Sequence, residues 1–257
     1  MELIEYHTTD RLAHITLNRP DKRNALNGKL VGGLQAAFER AAADEHVKVI
    51  VLKANGAVFC AGADLEYLQQ LQNNSYEENL LDSRQLATLF ETIHTLPKVV
   101  VAQVQGHAIA GGCGLATVCD FSFAVPEAKF GYTEVKIGFV PAIVSYFLCR
   151  KIGEGKAREL LLTGNQLTAA QAQQYGLVNF IATADELERQ VTGFAQMLCQ
   201  QNSAQSMAQT KKIVSQITSK PLAEAMDYAA QANAQARATA ECKQGIAAFL
   251  DKRTPEW

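Results

Sequence analysis

The sequence predicts an α/β protein with an added all-helical region at its C-terminal end, and three observations carry that prediction. Two short apolar runs, VKVIVLK at 47–53 and KVVVAQVQG at 98–106, have the continuous valine-rich character of strands buried on both faces. Helical periodicity lies before, between and after them. From about Thr183 the composition turns to Ala, Gln, Glu and Lys with no strand pattern.

In chain order, residues 2–18 alternate as a hairpin: LIEYH, a turn at Thr8-Thr9-Asp10, then LAHITLN. Arg19-Pro20-Asp21 breaks the second strand. Leu26, Leu30, Leu34, Ala37 and Phe38 recur at helical spacing, so residues 24–43 read as an amphipathic helix. Residues 65–96 form a polar, Asn- and Gln-rich helical region whose QQLQNN tract (69–74) is expected to be exposed or mobile near a pocket mouth. FSFAVPEAKFGYTE (121–134) reads as a third strand ending in a turn, 153–162 and 168–175 as helices, and GLVNFI (176–181) as a short closing strand. The expected division is a core over 1–195 and a helical region over 196–257, whose apolar face must pack on the core or on another subunit.

With 257 residues, 48% of them hydrophobic and 19% charged, the chain can bury one large core. Twenty-four basic side chains against 26 acidic ones leave a formal charge of -2, which supplies no field for DNA or RNA. Any anionic ligand must be met by a few local cations. The start carries charge from Glu2 onward and has no apolar run long enough for a signal peptide or a spanning helix, so a cytoplasmic protein with no membrane partner is expected. Cys60, Cys113, Cys119, Cys149, Cys199 and Cys242 are scattered, without CxxC pairs or histidines at metal-ligand spacing. They read as buried thiols, and no metal site is expected.

The segment GHAIAGGCGLATVCD (106–120) places glycines between a buried strand and a helical run. Glycines there allow a tight turn, a phosphate cradle or backbone amides aimed at developing negative charge. A dinucleotide cradle would need GxGxxG with a later acidic residue, and a P-loop would need GxxxxGK[ST]; neither is present. FCAGADLEYL (59–68) has the same form of strand, small residues and helix. Two such turns can point two amides at one carbonyl oxygen.

Five segments then agree in order and spacing with one family: TLNRPDKRNALN (16–27), FCAGADL (59–65), QGHAIAGGCGLATVCD (105–120), AKFGYTEVKIGFVP (128–141) and GKARELLLTGNQLTAAQAQQYGLVN (155–179). Together they resemble the enoyl-CoA hydratase/isomerase (crotonase) family. The resemblance implies a crotonase-like spiral of ββα units with a C-terminal helical trimerisation region, an acyl-CoA thioester as ligand, and a homotrimer or dimer of trimers. It also implies that no cofactor is needed beyond the coenzyme A of the substrate, and a place in fatty acid or branched-chain amino acid degradation.

Residue by residue, the family's oxyanion donors correspond to the backbone N–H groups of Ala63 and Gly111. Hydratases of the family use two glutamates; Glu134 stands in the second slot, whereas the first slot, directly after GGC, holds Gly114. Lys22 and Arg23 are candidate cations for the CoA phosphates, and Lys211 and Lys212 could reach a neighbouring subunit's CoA. Ala61, Leu65, Tyr67, Leu68, Tyr132 and Pro141 are candidates for the substrate side, with Asp64 both in that set and a cap for the helix that follows it.

The Gly114 departure, together with PAIVSY (141–146) where many members have a glycine-rich segment, resembles the methylglutaconyl-CoA hydratase-like branch. Space freed at Gly114 would admit a branched or carboxylate-bearing acyl chain. The expected reaction is addition of water across the C2–C3 double bond of an enoyl-CoA with one catalytic glutamate. A Δ3,Δ2-enoyl-CoA isomerase using Glu134 as proton shuttle, a carboxyacyl-CoA decarboxylase, and a non-enzymatic acyl-CoA-binding scaffold remain alternatives.

Overall fold

The computed structural model describes residues 2–257. The expected hairpin forms from β1 (Ile4–Thr9) and β2 (Leu12–Leu17), paired antiparallel from Ile4↔Leu17 to Thr9↔Leu12. The turn sits at Asp10-Arg11, beyond the expected Thr8-Thr9-Asp10. Both of its residues take positive φ (48° and 67°), the twist that matches a two-residue hairpin loop. Next come α1 (Gly28–Ala43), β3 (Val49–Ala54), α2 (Leu65–Leu71), α3 (Tyr76–Thr95) and β4 (Val99–Val104). The single helical region expected over 65–96 is thus two helices. Ser75 separates them because its side chain accepts from Glu78 N while the Glu78 carboxylate accepts from Ser75 N, a reciprocal cap that starts a new helix.

Then follow β5 (Ala108–Ile109), α4 (Gly111–Val118), β6 (Phe121–Ala124), β7 (Lys129–Gly131), a 3-10 turn at Glu134–Ile137, and α5 (Ala142–Ile152). The strand expected over 121–134 splits in two because Pro126 lies in its middle and cannot donate to a ladder. The halves join different sheets. After them come α6 (Glu154–Thr163), β8 (Gln166–Thr168), α7 (Ala169–Gln174), β9 (Phe180–Ile181) and the helices α8 (Ala184–Gln201), α9 (Ala204–Ile217), α10 (Leu222–Ala238) and α11 (Ala240–Leu250). The division placed near residue 195 falls inside α8, whose Leu187, Val191 and Ala195 are buried with the core.

The larger sheet has the order β1-β2-β3-β4-β6-β9, parallel from β2 onward, and the smaller has the order β5-β7-β8. Val49–Leu52 and Val99–Ala102 pair in register and are fully or almost fully buried, which explains their unbroken apolar sequence. The core runs along both faces of this sheet, with Leu30, Leu34 and Phe38 of α1 and Leu89, Phe90 and Ile93 of α3 packed into it. The six cysteines are free thiols, four buried and two half-buried. Among the described residues no helix is long and apolar enough to cross a membrane.

Candidate active site

The chain from Cys60 to Asp64 lies between two neighbours. On one side Cys60 pairs with Ala108, the Ile109 N–H donating to Cys60 O at 3.0 Å. On the other, Leu26 pairs with Ala63: Leu26 N–H donates to Gly62 O at 2.7 Å and Asp64 N–H to Leu26 O at 2.9 Å. That parallel pairing consumes the groups flanking Ala63 and turns the Ala63 amide to the opposite side. Among the described residues the Ala63 N–H has no acceptor, and Ala63 is exposed.

Gly111 opens α4, so its N–H precedes the helical ladder and likewise has no protein acceptor among the described residues. Its neighbours hold it in place. Ala110 N–H donates to Gly131 O at 2.7 Å, and Gly114 N–H donates back to Ala110 O at 3.0 Å. Ala110 itself sits at φ 52°, ψ -126°, a conformation costing an alanine on the order of 1–3 kcal/mol. The strained peptide is the one that carries the Gly111 amide.

The two turns touch, and two glycines make that possible. A Cβ on Gly112 would lie 2.3 Å from Cys60 O, so only hydrogen fits. Gly62, at φ +89°, would place a Cβ 2.8 Å from the Ala110 Cβ. The small residues of CAGAD and AGGCG therefore let the two turns that carry these unpaired amides pack against each other, one amide standing at the positive end of a helix dipole.

The third component comes from the small sheet. Ile109 of β5 pairs with Gly131 of β7, which brings the segment carrying Glu134 alongside the Gly111 turn. Glu134 is 9% exposed, and its Oε2 is buried with no hydrogen-bond partner. Burial pushes its carboxyl above the usual range, only partly offset by its own backbone amide. Its charge is felt at Cys113, whose thiol is itself pushed up to about 12, chiefly by burial. A buried carboxyl with an unpaired oxygen can exchange a proton with a group brought to it.

The remaining candidates divide. Lys22 and Arg23 are both exposed. Lys22 pairs with Glu66 at 2.7 Å, whose hydrogen bond and charge raise the lysine, whereas the Arg23 side chain has no hydrogen-bond or ion-pair partner among the described residues. Ala61 and Leu68 are half-buried, and Leu65 is 77% exposed next to the Ala63 turn. Tyr67 is half-buried and its hydroxyl is bound to Asp82.

Several expectations are overturned here. Asp64 caps α2 as expected, accepting from Glu66 N and Tyr67 N, but it also pairs with Arg19 at 2.5 Å, so its carboxylate is not presented to a ligand. Burial would raise its carboxyl, but Arg19 and the two amides outweigh that and hold it below the usual range. Tyr132 is fully buried with its hydroxyl 2.6 Å from Thr117 Oγ1, so it lines core and not substrate. Pro141 is buried at the start of α5.

Gly114 leaves no room. A Cβ there would meet Val144 Cγ1 at 2.4 Å and Phe90 Cε2 at 2.8 Å, so these two side chains already fill the space expected for an acyl branch. Lys211 is also engaged, donating to Ile93 O, Lys98 O and, at 2.8 Å, Asp120. Among the described residues no three His, Cys, Asp or Glu side chains gather as a metal site. A largely apolar cavity of about 660 Å³ lies elsewhere, lined by Phe121, Leu198, Met207, Val214 and Trp257 together with the Lys211–Asp120 pair, and neither Ala63, Gly111 nor Glu134 lines it.

Sequence reasoning missed α5, and with it Val144, the residue that fills the Gly114 slot. The AIVSYFLCRKI segment does carry apolar residues at helical spacing, but its three β-branched residues and the preceding proline mask the signal. Asn24 carries no signal of its own in the sequence. Fully buried, it donates to Asn55 O at 2.9 Å and Val58 O at 2.8 Å, and so ties the Lys22-Arg23 loop to the strand before the Ala63 turn.

Comparison with known proteins agrees with this geometry. The profile of the family described as Enoyl-CoA hydratase/isomerase matches residues 7–257. A Thermus thermophilus protein whose name assigns it provisionally as an enoyl-CoA hydratase is 40% identical, covering 96% of this chain and 97% of that one. The 2,3-dehydroadipyl-CoA hydratase of Escherichia coli is 35% identical over 96% and 95% of the two chains. A crystal structure of an enoyl-CoA hydratase from Shewanella pealeana superposes with a TM-score of 0.94 at 30% identity, covering 99% and 96%. The crotonase-like spiral fold that the family resemblance implied is the fold observed, and the chain belongs to the enoyl-CoA hydratase/isomerase family.

Proposed function

We propose that the protein is an enoyl-CoA hydratase in which Glu134 is the single catalytic carboxylate and the Ala63 and Gly111 amides form the oxyanion hole. The observation that carries this reading is the Glu134 carboxyl, buried with one oxygen unpaired beside the strained turn that bears the Gly111 amide. The thioester oxygen of a 2-enoyl-CoA accepts from both amides as it gains negative charge. Such a donor typically contributes ~10²- to 10³-fold in rate.

Glu134, ionised, takes a proton from water as the water oxygen bonds to C3, and the same carboxyl returns that proton to C2. Hydroxyl and hydrogen are thereby added with no net change in the enzyme. Burial of Glu134 brings its proton affinity closer to that task than an exposed glutamate's would be. The coenzyme A of the substrate is the only nucleotide required, and Arg23 is the cation best free to meet its phosphates. Tyr67 and the half-buried Leu68 flank the acyl group together with the exposed Leu65.

A second reading, Δ3,Δ2-enoyl-CoA isomerisation, draws on Gly114. With Val144 and Phe90 against it, no second carboxylate stands beside Glu134 there, and a C2-to-C4 proton shuttle needs only one. A branched acyl group such as 3-methylglutaconyl would be accommodated toward α2 and not at position 114. We also propose that the chain assembles as a trimer or pair of trimers, with the exposed Leu222 and Met226 of α10 and Phe249 of α11 covered by partner copies.

The test is a substrate panel of crotonyl-CoA, 3-methylglutaconyl-CoA, 2,3-dehydroadipyl-CoA and a 3-enoyl-CoA, following the absorbance of the conjugated thioester. Loss of absorbance on a 2-enoyl-CoA reports hydration, and gain on the 3-enoyl-CoA reports isomerisation. Turnover of none of them, with ligand still bound, would replace the enzymatic reading with that of a binding protein.

A further inference from the structure

We propose that Tyr132 and Thr117 are positioning residues that polarise the Gly111 amide through a relay of hydrogen bonds, an inference that rests on the oxyanion role given to that amide above. Thr117 Oγ1 lies 2.8 Å from Cys113 O. A threonine hydroxyl has one proton and a carbonyl only accepts, so that proton points to Cys113. The Tyr132 hydroxyl, 2.6 Å from the same Oγ1, is then the donor to Thr117. Cys113 O and Gly114 N belong to one peptide, and the Gly114 N–H donates to Ala110 O at 3.0 Å. Ala110 O and Gly111 N belong to the next. The relay therefore runs phenol, hydroxyl, peptide, peptide, and ends on an amide with no protein acceptor among the described residues.

Each carbonyl that accepts a hydrogen bond draws density from its own peptide nitrogen and makes that N–H a stronger donor, by ~10–30% per bond in condensed phase. Both hydroxyls are inside the core, Tyr132 fully buried and Thr117 3% exposed, where each would be costly without its partner. Phe and Val would fill the same volume with no polar group to satisfy. The relay also starts on the segment that carries Glu134, since the Gly131 carbonyl beside Tyr132 accepts from Ala110 N–H at 2.7 Å. One buried network thus spans the two halves of the proposed site.

Strengthening by 10–30% a donor worth 10²- to 10³-fold corresponds to about two- to eightfold in kcat. The test uses the full-length protein with carbon-13-labelled butyryl-CoA, a saturated thioester that cannot be hydrated, and reads the bound carbonyl stretch by infrared difference spectroscopy. Tyr132→Phe and Thr117→Val are each expected to move that stretch to higher wavenumber than in wild type. They should lower kcat on crotonyl-CoA about two- to eightfold with KM within about twofold. Thr117→Ser, which keeps the hydroxyl, should restore both, and the double variant should do no worse than Thr117→Val alone, because a broken relay cannot be broken again. An unchanged stretch in both single variants overturns the relay even if kcat falls, since a weakened Gly111 donor must show at the carbonyl it polarises. If wild type itself leaves the carbonyl unshifted from solution, the oxyanion reading fails and the relay falls with it. Should Tyr132→Phe not fold, Thr117→Val against Thr117→Ser decides the matter alone.

Discussion

Gly114→Ala isolates the packing at the most unusual position of the site. Alone, the change removes a mid-helix glycine, which favours the folded state by about 0.5–1 kcal/mol through helix propensity. Against that, the new methyl would start 2.4 Å from Val144 Cγ1 and 2.8 Å from Phe90 Cε2, both buried. Overpacking of this kind costs roughly 1–3 kcal/mol, so the variant should lose about 0.5–2 kcal/mol net, or about 1–8 °C in Tm for a chain of this size. Val144→Ala alone opens a small cavity and should lose roughly 2 kcal/mol. In that background the methyl added at position 114 enters space just vacated, so Gly114→Ala should be neutral or stabilising. The assay is a double-mutant cycle by urea denaturation at one protein concentration, with an expected favourable coupling of about 1–2 kcal/mol. Equal effects of Gly114→Ala in both backgrounds would falsify the claim that Val144 fills the slot.

Further outcomes are expected. Glu134→Gln should abolish turnover while acyl-CoA binding, read by calorimetry, persists; retained turnover removes Glu134 from the mechanism. The same variant should be more stable than wild type at neutral pH. Its parent's carboxyl is raised on folding, so its ionisation opposes folding above the ordinary glutamate range, and the advantage should vanish in melts below about pH 4. Asp64→Ala loses a helix cap and leaves Arg19 without its buried partner, for about 2–4 kcal/mol in urea titrations at neutral pH. Because Asp64 is lowered on folding, that contribution exists above the ordinary aspartate range and fades as pH falls through the folded value. Arg23→Ala should raise KM for CoA thioesters about three- to tenfold with kcat nearly unchanged, whereas Lys22→Ala, already paired with Glu66, should do less. Light scattering should give three or six copies per particle, and Leu222→Glu with Phe249→Glu should lower that number.

The buried parallel strands were legible because burial on both faces leaves an apolar run that needs no partner to be recognised. The Ala63 and Gly111 turns were legible for a related reason. Close approach of two backbones admits only hydrogen or methyl at each position, and that constraint is written directly as CAGAD and AGGCG. Glu134 was marked by its setting in FGYTE, not by any property of a lone glutamate in a turn.

The sequence by itself determined the α/β class, the family and the two small-residue turns, and it singled out Glu134 as the candidate carboxylate. Only the tertiary structure decided what each polar or missing side chain does, because that depends on neighbours far along the chain. Asp64 could have faced a ligand, but Arg19, 45 residues earlier, claims it. Tyr132 could have lined a pocket, but Thr117 holds it in the core. Gly114 read as a vacancy in the sequence; in the fold, Phe90 and Val144 converge on it from two other helices and fill the space the glycine leaves.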